Sequence, residues 1–327
     1  MRRGGTIAAA VILLLAVGCE QPFSPKRFVG DQYALQCFIG TQSAKGPTSQ
    51  SVLLGRVYDV DGLDPAVNTE DPAVRGAEIS LSINGTVKTM KEATRTRSDT
   101  SRYGPVEHYY TTSITSPAQR EQLSIVAKMP DGHVLSAQTR VPRERSIVSN
   151  YEFPQGLTAR ITRQPGEPDW NLTWEDDKEP EEGHLFIVQL RIDYTKQEGS
   201  NEIPGVMVVP VTYAGSQPVY PPISTRTSCP IEFRCLDSAM VSIAAGDSDK
   251  AAYSMHMATL EILELDLPLS KYFSSTRGSL DQFSIRVNQA AYTNVSGGVG
   301  VFGSYFLNRL YYPLNSIYVK SFGYRFR

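Results

Sequence analysis

The sequence predicts a mostly β protein: two tandem antiparallel β-sandwiches with little helix. Three observations point there. Short runs alternate apolar and polar residues, the period of half-buried strands. Turn signals such as Asn84-Gly85 and Asp131-Gly132 separate those runs. At 327 residues the chain is too long for one small core. Hydrophobic residues make up 41% and charged residues 20%, the balance of a globular chain. A formal net charge of −2 and a pI near 6.1 lack the basic footprint of a nucleic-acid binder. No stretch after the N-terminus reaches the ~18 apolar residues of a helical span, which excludes a multi-span helical membrane protein.

Residues 1–19 read MRRGGTIAAAVILLLAVGC. Arg2 and Arg3 precede an apolar run from Ile7 to Val17, then Gly18 and Cys19. A basic start and a short hydrophobic middle make 1–18 a signal peptide, too short for a comfortable membrane span. Leu15-Ala16-Val17-Gly18-Cys19 resembles a bacterial lipobox. That resemblance implies diacylglycerol on the Cys19 thiol, cleavage before it and acylation of the new amine. The alternative is an ordinary secretory signal with an incidental Cys19. Residues 19–30, with Pro22, Ser24 and Pro25, read as an extended, lipidated tether. Glu20 and Gln21 leave open whether the protein faces the periplasm or the cell surface.

Residues 31–143 read as the first sandwich, of immunoglobulin size. Its strands are expected at Tyr33–Ile39, Ser51–Val60, Ala77–Ile83, Gln122–Lys128 and His133–Val141. A long polar loop spans Gly62–Arg75, and Pro142–Asn150 is the joint. Residues 144–327 read as a second β domain. Leu157–Thr162, Trp170–Trp174 and His184–Tyr194 have a spacing that resembles the early strands of a fibronectin type III module, with Trp174 as core tryptophan. Gly205–Tyr213 and Ala239–Ala245 continue the strand pattern. Ala251–Leu265 is the best helix candidate, although it alternates as well as it turns, and Leu269–Phe283 holds a short helix. Ser316–Phe326, with Tyr318, Phe322, Tyr324 and Phe326 alternating, reads as a closing strand.

Gly298, Gly300 and Gly303 have G-x-G-x-x-G spacing, but dinucleotide binding needs a following helix and a later acidic residue. The chain after Gly303 is aromatic and carries no Asp or Glu. The preferred reading is a glycine turn that lets strands pack closely beside the second domain's core, with Phe302 buried there. Asp59, Asp61 and Asp64 alternate around Gly62 as calcium loops do, but the distal Glu has no clear place, and a solvated loop is the plainer reading. Cys229 and Cys235 are expected to form a disulfide through a turn at Pro230, with free thiols as the alternative. Cys37 is expected buried and unpaired. Asp237-Ser238-Ala239 matches a three-residue O-glycosylation pattern at Ser238; a strand edge is the plainer reading. The acidic run Glu175–Glu182 reads as a solvated turn. His108, His133, His184 and His256 lack metal-ligand spacing. Neither a G-x-S-x-G elbow nor a paired carboxylate stands out, so no catalytic residue and no cofactor is assigned.

One constellation is more specific. Residues 292–303, YTNVSGGVGVFG, resemble the closing signature of a Bacteroidota lipoprotein family catalogued as domain of unknown function 4249. The signature residues are Asn294, Gly297, Gly298, Gly300, Phe302 and Gly303. GAEISLSING and SIVAKMPDGHVLSAQTRVP resemble the family's earlier strands, in the same order. SSTRGSLDQFSIRVNQ departs from the short Pro-Phe stretch usual before the signature. The resemblance implies a lipid-anchored outer-membrane protein, mostly β, often encoded beside TonB-dependent transporters. The expectation is therefore a non-catalytic binding or accessory protein. It meets the bilayer through acylated Cys19 and a TonB-dependent transporter through its folded part, with its ligand open. A stand-alone adhesive module and an unrecognised hydrolase are the alternatives.

Overall fold

The computed structural model describes residues 32–42, 46–57, 69–157, 169–174, 183–277 and 292–327. The first strand, β1 (Gln32–Gln42), buries Tyr33, Leu35, Cys37, Ile39 and Thr41 on one face and half-buries the alternate residues on the other. It is followed by β2 (Pro47–Val57), β3 (Glu78–Ile83), β4 (Thr86–Thr96), β5 (Val106–Thr115), β6 (Gln122–Lys128) and β7 (Val134–Arg140). The β3–β4 hairpin turns at Asn84 and Gly85, with φ of 47° and 84°. Positive φ at both central residues matches the right-handed twist of the flanking strands, as the Asn-Gly pair signals. Strand β4 serves two neighbours: residues up to Met90 pair with β3, and those from Lys91 pair with β5.

The second half holds β8 (Val148–Ser149), β9 (Trp170–Thr173), β10 (Leu185–Glu198), β11 (Asn201–Val209), β12 (Thr212–Ala214), β13 (Gln217–Val219) and β14 (Ser228–Ile231). Helix α1 (Phe233–Ile243), β15 (Tyr253–Leu265), α2 (Leu267–Arg277), β16 (Val299–Pro313), α3 (Ser316–Ser321) and β17 (Arg325–Phe326) complete it.

One twelve-stranded mixed sheet runs through both halves in the order β11-β10-β15-β16-β1-β2-β5-β4-β3-β6-β7, with β17 beside β15. The β1–β16 pair is parallel, from Ala34 opposite Val299 to Gln42 opposite Leu307; the other pairs along that order are antiparallel. The first half almost closes on itself. Ser136 in β7 and Ser296, just before β16, exchange backbone hydrogen bonds of 3.1 and 2.8 Å.

Two main cores result. One gathers Leu35, Ile79, Leu81, Leu123, Ile125 and Leu135 of the first half together with Phe302 and Phe306. The other gathers Trp170, Trp174, Leu190, Leu236, Met240, Leu260 and Ile262. The first core draws on both sides of residue 143, since Val295, Phe302 and Phe306 belong to it, and the sheet runs across that point as well. Strand β16 enters the first core with Phe302 and reaches the second with Leu310 and Tyr312. Phe302 is fully buried, yet in the first core rather than beside the second.

Three element assignments are corrected. Ala251–Leu265 is not a helix: Lys250–Ala252 form a single 3-10 turn and the rest is β15. From Ala258 onward this central strand is covered on both faces, so Thr259, Glu261 and Glu264 are buried with their apolar neighbours and the period of two is masked. Ala239–Ala245 belongs mainly to α1, whose Phe233, Leu236, Met240 and Ile243 line the buried face at helical spacing. Ser316–Phe326 opens as α3, because the Asn315 side chain accepts hydrogen bonds from the N–H groups of Ile317 and Tyr318 and caps it.

A candidate binding groove on the outer face of the sheet

The even-numbered residues of β1 point away from the first core. Parallel pairing with β16 sets Gln36 beside Val301, Phe38 beside Gly303, Gly40 beside Tyr305 and Gln42 beside Leu307. Helix α2 covers part of this face. Its Leu269 joins Leu185, Leu265 and Val301 in a small third core, with Phe38, Tyr272, Phe273 and Tyr305 packed against it. Phe38 lies 6.4 Å from the rings of both Tyr272 and Phe273. Gly303 makes the approach possible: a Cβ there would sit 2.5 Å from Leu269 Cγ.

Beside that cluster a groove of about 570 Å³ opens along β1, β2 and β16. Its lining combines the rings of Phe38 and Tyr305, which lie between Gln36 and Gln42 along the β1–β16 pair, with Ser49 and Ser51 of β2 and the guanidinium groups of Arg95 and Arg309. A second hollow of about 330 Å³ shares Gln36 and Leu53 with it and extends toward Arg97 and His108. The Tyr305 ring lies across Gly40, where a Cβ would come 2.5 Å from the phenol oxygen. Both arginines are held. Arg95 pairs with Glu107 and lies 5.1 Å from the Tyr109 ring centroid. Arg309 Nε donates to Glu261 at 2.8 Å and its Nη1 donates to Gln42 Oε1 at 3.3 Å. Glu261 also accepts from Arg191, at 3.3 Å, so a charge ladder crosses β10, β15, β16 and β1 into the groove.

Behind the groove, the joint between the cores is polar and buried. Arg145 donates to both oxygens of Glu264 at 2.6 Å, and His184 Nδ1 lies 2.8 Å from the same carboxylate. Glu264 is fully buried. Burial pushes its pKa up, but hydrogen bonds from Arg145 and His184 outweigh that and hold it below the ordinary value of 4.5. Two residues on, Asp266 accepts from Thr139 Oγ1, from the Ser304 N–H and hydroxyl, and from the Leu269 N–H at the start of α2. Burial dominates there and raises its pKa above 3.8. These carboxylates tie the joint, β7, β15, β16 and α2 together. Sequence reading missed the network because its members lie far apart in the chain. The alternation of outward Gln36, Phe38 and Gln42 on β1 was the one local signal for the groove.

The glycine signature sits at the closing seam of the first half and on the strand leaving it. A Cβ at Gly297 would meet Val134 O at 2.3 Å, one at Gly298 Tyr33 O at 2.4 Å, and one at Gly300 Leu35 O at 2.0 Å. Gly297 and Gly300 also take positive φ, 83° and 119°. Asn294 bonds the backbone of Phe302. A strand follows the glycines, not a helix, which agrees with the close-packing reading rather than a phosphate loop.

The other expected sites are placed as follows. Cys229 and Cys235 carry no disulfide. Cys229 is in β14, opposite Leu172, and Cys235 is in the first turn of α1; both thiols are buried in the second core. Burial raises each to about 11. Cys37 is buried and free as expected, pushed by burial to about 12. Ser238 lies within α1, half-buried, with its hydroxyl donating to Arg234 O at 3.0 Å. It is neither on a loop nor on a strand edge. Cys19, the calcium candidates Asp59, Asp61 and Asp64, and the run Glu175–Glu182 lie outside the described residues. Among the described residues no three His, Cys, Asp or Glu side chains gather as a metal site. No helix among them is long and apolar enough to cross a membrane. No protein-family model matches the chain, and no curated protein matches it.

Proposed function

We propose that this chain is a lipid-anchored outer-membrane protein that binds a ligand in the groove of β1, β2 and β16 and serves a TonB-dependent transporter. The groove carries the reading. It is concave, of small-molecule size, and mixes aromatic rings with convergent polar groups, the composition of ligand sites. The lipobox at Leu15–Cys19 supplies the anchor, and several acyl chains on one residue hold a protein at a membrane stably. The tether from Cys19 to the start of β1 spans at most about 45 Å when fully extended. Hydrogen bonds from Thr139 of β7 and Ser304 of β16 to Asp266 link the two halves of the sheet beneath the groove.

Two measurements test this reading. Pull-down of the tagged protein from detergent-solubilised outer membranes, followed by mass spectrometry, is expected to recover a transporter barrel; recovering none overturns the accessory role. Cys19→Ser is expected to block processing or release the protein from membranes. An unchanged membrane fraction in that variant would falsify the anchor.

A further inference from the structure

Resting on the groove as the binding site, we infer that its ligand is a short neutral oligosaccharide. No Asp or Glu is among the described lining residues, which disfavours cations and metals. Arg95 and Arg309 are each already paired to a glutamate, so they stand as fixed hydrogen-bond donors, not as free positive charge seeking an anion. Gln36 and Ser51 make no side-chain hydrogen bond among the described residues, although both are half-buried. An amide and a hydroxyl each donate and accept, and a sugar hydroxyl does the same, so the two kinds of group match at close spacing. Phe38 and Tyr305, between Gln36 and Gln42, supply rings for the C–H face of a pyranose. A peptide of ordinary composition would instead use a strand edge or apolar side-chain pockets, and this groove lies on a sheet face. Its volume of about 570 Å³ accommodates a short chain of sugar rings.

The test is calorimetry on the full lipidated chain in a detergent without a sugar headgroup. The probes are neutral gluco-, manno- and galacto-oligosaccharides, with a neutral peptide library as the competing class. Binding of at least one sugar series is expected. Ser51→Trp, which fills the groove, should weaken it tenfold or more, and Gln36→Ala several-fold, with Tm unchanged. If Ser51→Trp does not fold, Gln36→Ala decides. Sugar binding indifferent to these substitutions, peptide binding in its place, or no sugar binding overturns the inference. The transporter pull-down with the native chain separates the two proposals. Transporter recovery without sugar binding by the native chain refutes the ligand class alone; loss of both refutes the accessory reading with it.

Discussion

Asn294 holds Phe302 by the backbone: its Nδ2 donates to Phe302 O at 2.7 Å, and its Oδ1 accepts from Phe302 N–H at 3.0 Å. The side-chain amide thus acts as one more strand partner, at the point where β16 enters the first core. An Asn in that place of the signature is explained by this bond pair, because only a carboxamide offers donor and acceptor in the spacing of a peptide unit.

Asn294→Asp keeps the acceptor and sets an oxygen against Phe302 O. The expected cost is about 1–3 kcal/mol, the range for a buried polar group left without its partner. Denaturant unfolding of the variant measures it. An unchanged midpoint would show that the clasp contributes nothing.

The glycine seam makes a sharper claim. Phe302 is fully buried, so Phe302→Ala should destabilise by about 3–5 kcal/mol. Gly298→Val should unfold the first half, since even a methyl group there would overlap Tyr33 O. Thermal unfolding with and without nucleotides checks the structural role. A nucleotide-dependent rise in Tm in the native protein would contradict it.

The two buried carboxylates respond to acid with opposite sign. Glu264 has a lowered folded pKa, so its stabilisation is full above its unfolded value near 4.5 and is lost as pH falls through the folded value. Asp266 has a raised folded pKa, so its contribution is full below 3.8 and is lost as pH rises through the folded value. Glu264→Gln leaves the Arg145 guanidinium buried without its counter-charge and should cost about 3–5 kcal/mol near neutrality. Stability measured from pH 3 to 7 should therefore fall less steeply on acidification in Glu264→Gln than in the native chain. Equal slopes would refute the assignment.

The cysteines provide a test without mutation. Cys37, Cys229 and Cys235 are buried, and burial raises all three thiols to about 11 or 12. A thiol reagent at pH 8 should leave them unmodified in the native protein and label all three in denaturant, because the thiolate is the reactive form. Rapid native labelling of Cys229 or Cys235 would contradict the packing, and failure to label them in denaturant without reductant would restore the disulfide.

The sandwich strands of the first half were legible because one face of each is buried, so the period of two survives in the sequence: Leu123, Ile125 and Ala127 alternate with exposed or half-exposed neighbours. Strand β15 hid for the opposite reason. Packed between β10 and β16 with both faces covered, it buries Glu261 and Glu264 along with Leu260 and Ile262, and no alternation remains to read. Helix α1 reads as a strand because Ala239, Val241 and Ile243 alternate as apolar residues, while the burial follows the helical spacing of Leu236, Met240 and Ile243. The disulfide expectation fails because Pro230 lies within β14 and makes no turn, so the chain stays extended from Cys229 until α1 begins. The groove was the least visible of all, because it is made by strands whose register against β16 no local pattern encodes.

The parallel union of β1 with β16 also sets a timetable. The first described strand takes as its neighbour a strand more than 250 residues later, Val299 beside Ala34. Until that stretch is made, the centre of the sheet has an open edge and the first core lacks Phe302. Contacts of such long range slow folding, since the intervening chain must be closed before they reward it. The first core of such a chain stays incomplete until its last tenth, which carries β16, has been made. Thereafter the two ends lock together, and truncation before Asn294 should leave an aggregating fragment, not a smaller working one.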